Sequence, residues 1–196
     1  MKITWPPDVI ARYRAHFDKT RASIGDDLHS ILDHFGAPSA PGAELLLERV
    51  VTWCVYVEKP LSLPERMIVG ATALRSDVQN GGFHQYFVND AGDYWEDVLY
   101  TLRAGGDADG ERHLLETVRV FPDARPSADR AARNAQLEAI EARDGAAMWA
   151  HFDRQDALYY ARDPDPGGYP TEETLWSALR RVPNERFIPY IEGGDS

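Results

Sequence analysis

Cysteine is nearly absent from the sequence, which has 196 residues and one cysteine, Cys54. A single cysteine cannot form a disulfide within the chain, so the fold cannot depend on a disulfide framework. Cys54 lies in the apolar stretch 50–57, and this setting predicts a buried, unreactive thiol. The class of small secreted proteins held together by disulfides is therefore excluded.

Long apolar runs are also missing. The longest apolar stretch, near Val50, is far too short and too interrupted to cross a bilayer. The first residues, 1–7, contain no apolar segment of the kind found in secretory signals. We therefore expect a cytoplasmic protein without membrane contact.

Basic residues are scarce relative to acidic ones, with 21 Lys and Arg against 32 Asp and Glu, a net charge of −11 and a pI of about 4.9. Proteins that bind nucleic acid need a basic surface to neutralise phosphates. The charge argues against direct nucleic-acid binding and is compatible with a basic protein partner. An acidic balance also serves solubility alone, and this alternative stays open.

No segment shows the period-two alternation of a half-buried strand. Apolar residues repeat instead at helical spacing, between breaks rich in glycine and proline. This pattern predicts an all-α fold, a compact multi-helix domain of roughly 8–10 helices with short loops. We expect a helical extension over 1–60 packed on a main domain over 61–191, and a frayed tail over 192–196. The Pro/Gly loop at 37–42 is the candidate boundary.

Several helix limits are predicted from local signals. Ser62 and Glu65, with Pro64 between them, match a capping box. Gly81-Gly82 should stop that helix, and Thr171 should cap another one through Leu179. Further helices are predicted over 6–17, 24–35, 43–57 (where a buried strand is the alternative), 83–89, 94–105, 114–121, 127–143 and 146–161.

The most distinctive run is Asn-Gly-Gly-Phe-His-Gln-Tyr-Phe at 80–87. Gly81 and Gly82 allow the chain to reverse tightly. Phe83, Tyr86 and Phe87 fall at offsets of three and four, which places them on one helical face toward the core. The run predicts a structural corner between two helices.

The polar residues of the same run allow a second interpretation. Asn80 should satisfy backbone groups at the helix end, while Gln85 and Asn89 share another face and should bond backbone groups in loops. His84 is expected to be exposed or paired with an acid. The alternative is a ligand pocket lined by Asn80, Gln85, Tyr86 and Asn89.

Motifs for metal binding or catalysis are lacking. His29 and His34 are five residues apart, which places them on different faces of a helix. The segment 107–110 weakly resembles a calcium loop, but Asp109 is better explained as the N-cap of the following helix. We find no phosphate-binding loop and no nucleophile elbow. We therefore expect no metal, no cofactor and no enzymatic activity.

Four blocks occur in an order typical of a known family: Leu61–Arg66, Val78–Asn89, Leu102–Phe121, and Phe152–Tyr160 followed by Asn184–Phe187. In these blocks the chain resembles a bacterial domain of unknown function found at the C-terminus of an acidic DNA-mimic protein. The resemblance implies an all-helical protein and is compatible with a homodimer. In the DNA-mimic member, carboxylates are presented to the DNA-binding surface of a transcription factor.

Acidic residues concentrate in the family-like part, where residues 61–125 contain 11 acids and 6 arginines. The alternative to a binding role is a solvated face whose acids pair with neighbouring arginines. The acids predicted to contact a partner are Asp90, Asp93, Glu96, Asp97, Asp107, Asp109 and Glu111.

These observations favour a non-enzymatic acidic protein-binding domain that occupies the basic surface of a DNA-binding regulator as a DNA mimic. A second hypothesis is an immunity-type or other interaction module that neutralises one effector. A third is a small-ligand binder or enzyme that uses the Asn80–Asn89 corner.

Overall fold

The computed structural model describes residues 27–39, 60–162 and 170–184, together with Ala15. Short 3₁₀ turns occupy Asp90–Tyr94, Val118–Val120 and Pro122–Ala124. The described residues contain no β-strand and form six α-helices: α1 Leu28–Phe35, α2 Leu63–Val88, α3 Trp95–Gly105, α4 Ala108–Thr117, α5 Arg130–Arg162 and α6 Glu172–Leu179.

The predicted all-α class is therefore confirmed. No helix of the described part combines the length and the apolar character needed to cross a membrane. Several predicted features lie outside the described residues: the helices over 6–17 and 43–57, Cys54, the C-terminal residues from 185 and the tail over 192–196.

Two helix starts agree with the sequence signals and one does not. The capping box is confirmed, because the Ser62 N–H donates to Glu65 Oε2 at 2.7 Å. At the start of α6, the Thr174 N–H donates to Thr171 Oγ1 at 3.1 Å. The prediction that Asp109 caps α4 was wrong. The cap is two residues earlier, at Asp107, whose Oδ1 accepts the Gly110 N–H at 2.9 Å.

Some helix ends differ from the predicted limits. The segment that follows Gly82 ends at Val88, one residue before the predicted limit at 89, and the chain continues as a 3₁₀ turn. Two helices were predicted over 127–143 and 146–161, and the break between them is confirmed inside α5. The chain leaves helical geometry at Asp144 (φ −160°, ψ 73°), whose carboxylate accepts the Ala147 N–H at 3.0 Å and so restarts the helix.

The buried apolar residues form two clusters. One joins α1, the first half of α2 and α6, and the other joins the end of α2 with α3, α4 and α5. α2 spans both clusters and connects them. α1 also bonds α6, since Arg180 Nη1 donates to Asp33 Oδ1 at 2.6 Å. The division of the chain at residue 60 stays a prediction.

Arg133 on α5 is a fully buried charge that ties α5 to the end of α2. Its Nε donates to the Phe87 carbonyl at 2.6 Å, and its Nη2 donates to the Asn89 carbonyl at 2.7 Å. The last carbonyls of a helix lack hydrogen-bond donors within the helix, and here the guanidinium is the donor. Arg133 thus satisfies carbonyls at the end of α2, which stops at Val88.

The surroundings of Arg133 are matched to its charge. Nη2 also pairs with Asp93 Oδ1 at 2.8 Å, and Nη1 donates to the Ser127 carbonyl at 2.7 Å. A Cβ at Gly92 would lie 2.7 Å from Arg133 Nε, so only glycine leaves room for the guanidinium. Each of the three guanidinium nitrogens thus has a partner, and burial of an arginine is tolerated when it is paired in this way.

We predict that Arg133→Met lowers the free energy of unfolding by about 3–5 kcal/mol, because it leaves buried carbonyls and Asp93 without their donor. The change is measured by urea denaturation. Arg112→Met is the matched control, since Arg112 forms an exposed ion pair with Asp109, and it should change the free energy by less than about 1 kcal/mol. Equal effects of the two substitutions would contradict the structural role of Arg133.

The glycine corner and the acidic residues as candidate functional sites

The glycine corner, residues 80–83, interrupts α2. Gly82 has φ 74° and ψ −176°, a conformation that only glycine adopts readily, and Gly81 also leaves helical geometry. The second segment of α2 therefore starts at Phe83 in a new direction. The break falls where the sequence predicted it.

Asp156 of α5 caps this second segment from a distance. Its Oδ1 accepts the Phe83 N–H at 2.8 Å, across 73 positions of sequence. A Cβ at Gly82 would lie 2.1 Å from Asp156 Oδ2, so the close approach also requires glycine. Burial raises the pKa of Asp156, while the Phe83 N–H acts in the opposite direction. The run at 80–87 and the block at 152–160 are thus one packed unit.

The aromatic residues of the run point into the core. Phe83, Tyr86 and Phe87 are fully buried, as their spacing predicted. Phe83 meets the ring of Tyr159 edge-on with centroids 5.5 Å apart, and Phe87 meets Phe121 at 4.9 Å. Burial raises the pKa of Tyr86 far above its ordinary value.

The polar residues of the run do not converge on a cavity. Gln85 Nε2 and Asn89 Nδ2 donate to Asp77 Oδ1, at 3.5 and 3.3 Å. The prediction that they bond backbone groups was wrong, because a carboxylate on the first segment of α2, before the glycine corner, faces both amides. Asn80 is exposed, and Tyr86 is inside the core. The residues proposed to line a ligand pocket thus lie in three different environments.

His84 is half-buried against the ring of Trp149, with centroids 4.3 Å apart. This tilted ring contact is found where the sequence predicted that His84 would be exposed or paired with an acid. Burial lowers the pKa of His84, and the charge of Glu141 opposes that shift. Neither Trp149 nor Glu141 was singled out from the sequence, because contacts between α2 and α5 have no local signal.

All seven acids predicted to contact a partner lie in the first turn of a helix or 3₁₀ turn, or at an N-cap, where a negative charge is stabilised. Each also pairs with an arginine. The ion pairs are Asp90–Arg130, Asp93–Arg133, Glu96–Arg125, Asp97–Arg66, Asp107–Arg162, Asp109–Arg112 and Glu111–Arg103.

Exposure divides five of these carboxylates into two groups, while Asp93 and Glu111 lie between them at 38% and 29%. The side chains of Asp97 and Asp107 are only 18% and 9% exposed, and they hold neighbouring elements together. Those of Asp90, Glu96 and Asp109 are 78%, 54% and 72% exposed. The second group is the most accessible to another protein.

The segment 107–110 offers no ready calcium site. Asp107 is engaged within the chain, because its Oδ1 accepts hydrogen bonds from the Gly110 N–H and from Arg162. Across the parts of the chain that the structure describes, no group of three or more His, Cys, Asp or Glu side chains is arranged to hold a metal ion.

We predict that Gly82→Ala destabilises the fold more than Gly106→Ala. Both glycines have positive φ, at 74° and 84°, so alanine is strained at either site by about 1–2 kcal/mol. Only an alanine at position 82 would also place its Cβ against Asp156, while no atom lies within 4 Å of a Cβ at Gly106. Urea denaturation measures both losses. Equal losses would show that contact with Asp156 is not what requires Gly82.

A second prediction concerns pH. His113 meets Phe83 edge-on at 5.6 Å, and burial, followed by the charge of Arg162, lowers its pKa below 6.5. The unfolded chain therefore takes up this proton more readily, and stability present above pH 6.5 is lost as the pH falls below it. As the pH is lowered below 6.5, the urea midpoint of His113→Gln should fall less than that of the native chain. Parallel pH profiles would contradict this cause.

A family model described as DMP19-like protein matches residues 59–180, which is more than half of the chain. The matched range contains α2 to α6 and the whole run at 80–87. No curated protein and no solved structure matches the chain significantly. The resemblance seen in the sequence blocks is supported at the level of the family, and the chain belongs to the DMP19-like protein family.

Proposed function

We propose that the chain is a non-enzymatic protein-binding domain that occupies the basic surface of a DNA-binding protein, as a mimic of DNA. The observation that carries this proposal is the family match over residues 59–180, which suggests a protein-interaction domain of the DNA-mimic type. The net charge of −11 agrees with a basic partner. A homodimer is compatible with this role.

The ion pairs around Asp90, Glu96 and Asp109 are suited to exchange. An exposed salt bridge contributes about 0–1 kcal/mol, so a partner's arginine or lysine replaces the internal one at little cost. Arg125 and Arg112, the arginines that pair with Glu96 and Asp109, are 73% and 76% exposed. Arg130, which pairs with Asp90, is 47% exposed and also donates to the Val88 carbonyl. The three carboxylates therefore supply the contact, while the buried pairs maintain the fold.

The glycine corner supports this role better than catalysis. Its carboxylate, Asp156, is engaged by the Phe83 N–H, and its amides are engaged by Asp77. A general acid or base needs a free side chain beside substrate. An interaction domain needs only a stable scaffold for its surface.

The proposal predicts capture that depends on salt. The immobilised protein should retain a DNA-binding protein from a bacterial extract at low salt and release it at high salt. Duplex DNA added to the purified pair should displace the protein, because both compete for one basic surface. Replacing the exposed acids with Asp90→Asn, Glu96→Gln and Asp109→Asn should weaken binding about tenfold.

The matched control removes the same charge elsewhere, with Asp123→Asn, Glu138→Gln and Glu173→Gln, three exposed acids without an ion pair among the described residues. It should weaken binding much less. A captured partner that duplex DNA does not displace would contradict mimicry, and a captured toxin would favour an immunity-type role. Absence of any salt-sensitive partner would overturn the proposal as a whole.

A further inference from the structure

Four side chains of α5 follow one side of the helix along the glycine corner. Trp149, Asp153, Asp156 and Tyr160 are spaced by four, three and four residues, which places them in one row. We refer to these four residues as the α5 stripe. An aromatic ring stands at each end of the stripe, and two carboxylates lie between them.

Three members of the stripe are held in place by α2. Trp149 packs against the tilted ring of His84, and Asp156 accepts the Phe83 N–H. Tyr160 Oη donates to the carbonyl of Val78 at 2.5 Å. These contacts limit the rotamers of the rings, so a partner that binds them loses little side-chain entropy.

The rings remain largely open despite these contacts. Trp149 is 42% exposed and Tyr160 is 50% exposed. With Leu158, they make three of the five large hydrophobic side chains that are exposed in the described part of the chain. Held but exposed aromatic rings are typical of protein-binding surfaces.

The charge of the α5 stripe is negative and is not compensated locally. Asp153 is exposed and forms no ion pair or hydrogen bond with another described residue, unlike the seven acids discussed above. Glu141 adds a carboxylate beside Trp149, whose Nε1 donates to Glu141 Oε1 at 3.3 Å. The adjacent Arg154 points about 100° around the helix and contacts His151 Nδ1.

We propose that the α5 stripe docks an arginine-bearing segment of the basic partner protein, an inference that rests on the proposed function. A guanidinium stacks on an indole or phenol face and pairs at its edge with a carboxylate. The stripe offers both groups within one row. Lysine, a compact and strongly hydrated charge, uses the ring faces less well.

The test uses labelled poly-arginine and poly-lysine peptides of equal length, with binding followed by fluorescence anisotropy. The native chain should bind poly-arginine more tightly. Trp149→Leu keeps apolar volume but removes the ring, and it should weaken poly-arginine binding about two- to fivefold. Asp153→Asn should weaken it by a similar factor at low salt and by less at high salt.

Matched controls are Tyr100→Leu, an exposed aromatic on α3, and Asp123→Asn, an exposed acid elsewhere. Both should bind like the native chain, and thermal unfolding verifies that every variant is folded. Stripe variants that bind like these controls would overturn the inference and leave the proposed function standing. Failure of the native chain to prefer poly-arginine would also overturn it, whereas the extract experiment alone decides the proposed function. Stripe variants that change self-association in sedimentation would instead identify a contact between copies.

Discussion

The buried guanidinium of Arg133 is the interaction on which the described fold depends most. It is fully enclosed, and it binds the carbonyls that end α2 together with the carboxylate of Asp93. A buried charge is stable only when all of its donors are matched. The guanidinium therefore joins α5 to the end of α2 and to the 3₁₀ turn that precedes α3, and it explains why Gly92 must lack a side chain.

Asp156 plays the corresponding part at the other side of the same helix segment. It caps Phe83 while Arg133 holds Phe87, so both ends of the segment are fixed by side chains of α5. The glycine corner is therefore one packed unit with α5. Its residues build a rigid edge, and the surface beside that edge, with Trp149 and Tyr160, is what another protein can reach.

The acidic composition has two separate consequences. In the seven acids that cluster in sequence, charge is stabilised by helix starts and by arginines. Buried pairs such as Asp107–Arg162 hold elements together, whereas exposed pairs such as Asp109–Arg112 exchange readily. Net charge alone describes attraction to a basic partner, and the pairing decides which carboxylates take part.

Local signals in the sequence determined the all-α class, the capping box at Ser62, the break at Gly82 and the burial of Phe83, because each depends on residues within a few positions. Only the tertiary structure decided what meets across the helices. The partners Asp156 with Phe83 and Arg133 with Phe87 are 73 and 46 positions apart, and a carboxylate or guanidinium that is buried by distant packing looks in sequence like any surface charge. For the same reason the sequence indicated where acids are dense, while the packing of the helices determined which of them remain exposed.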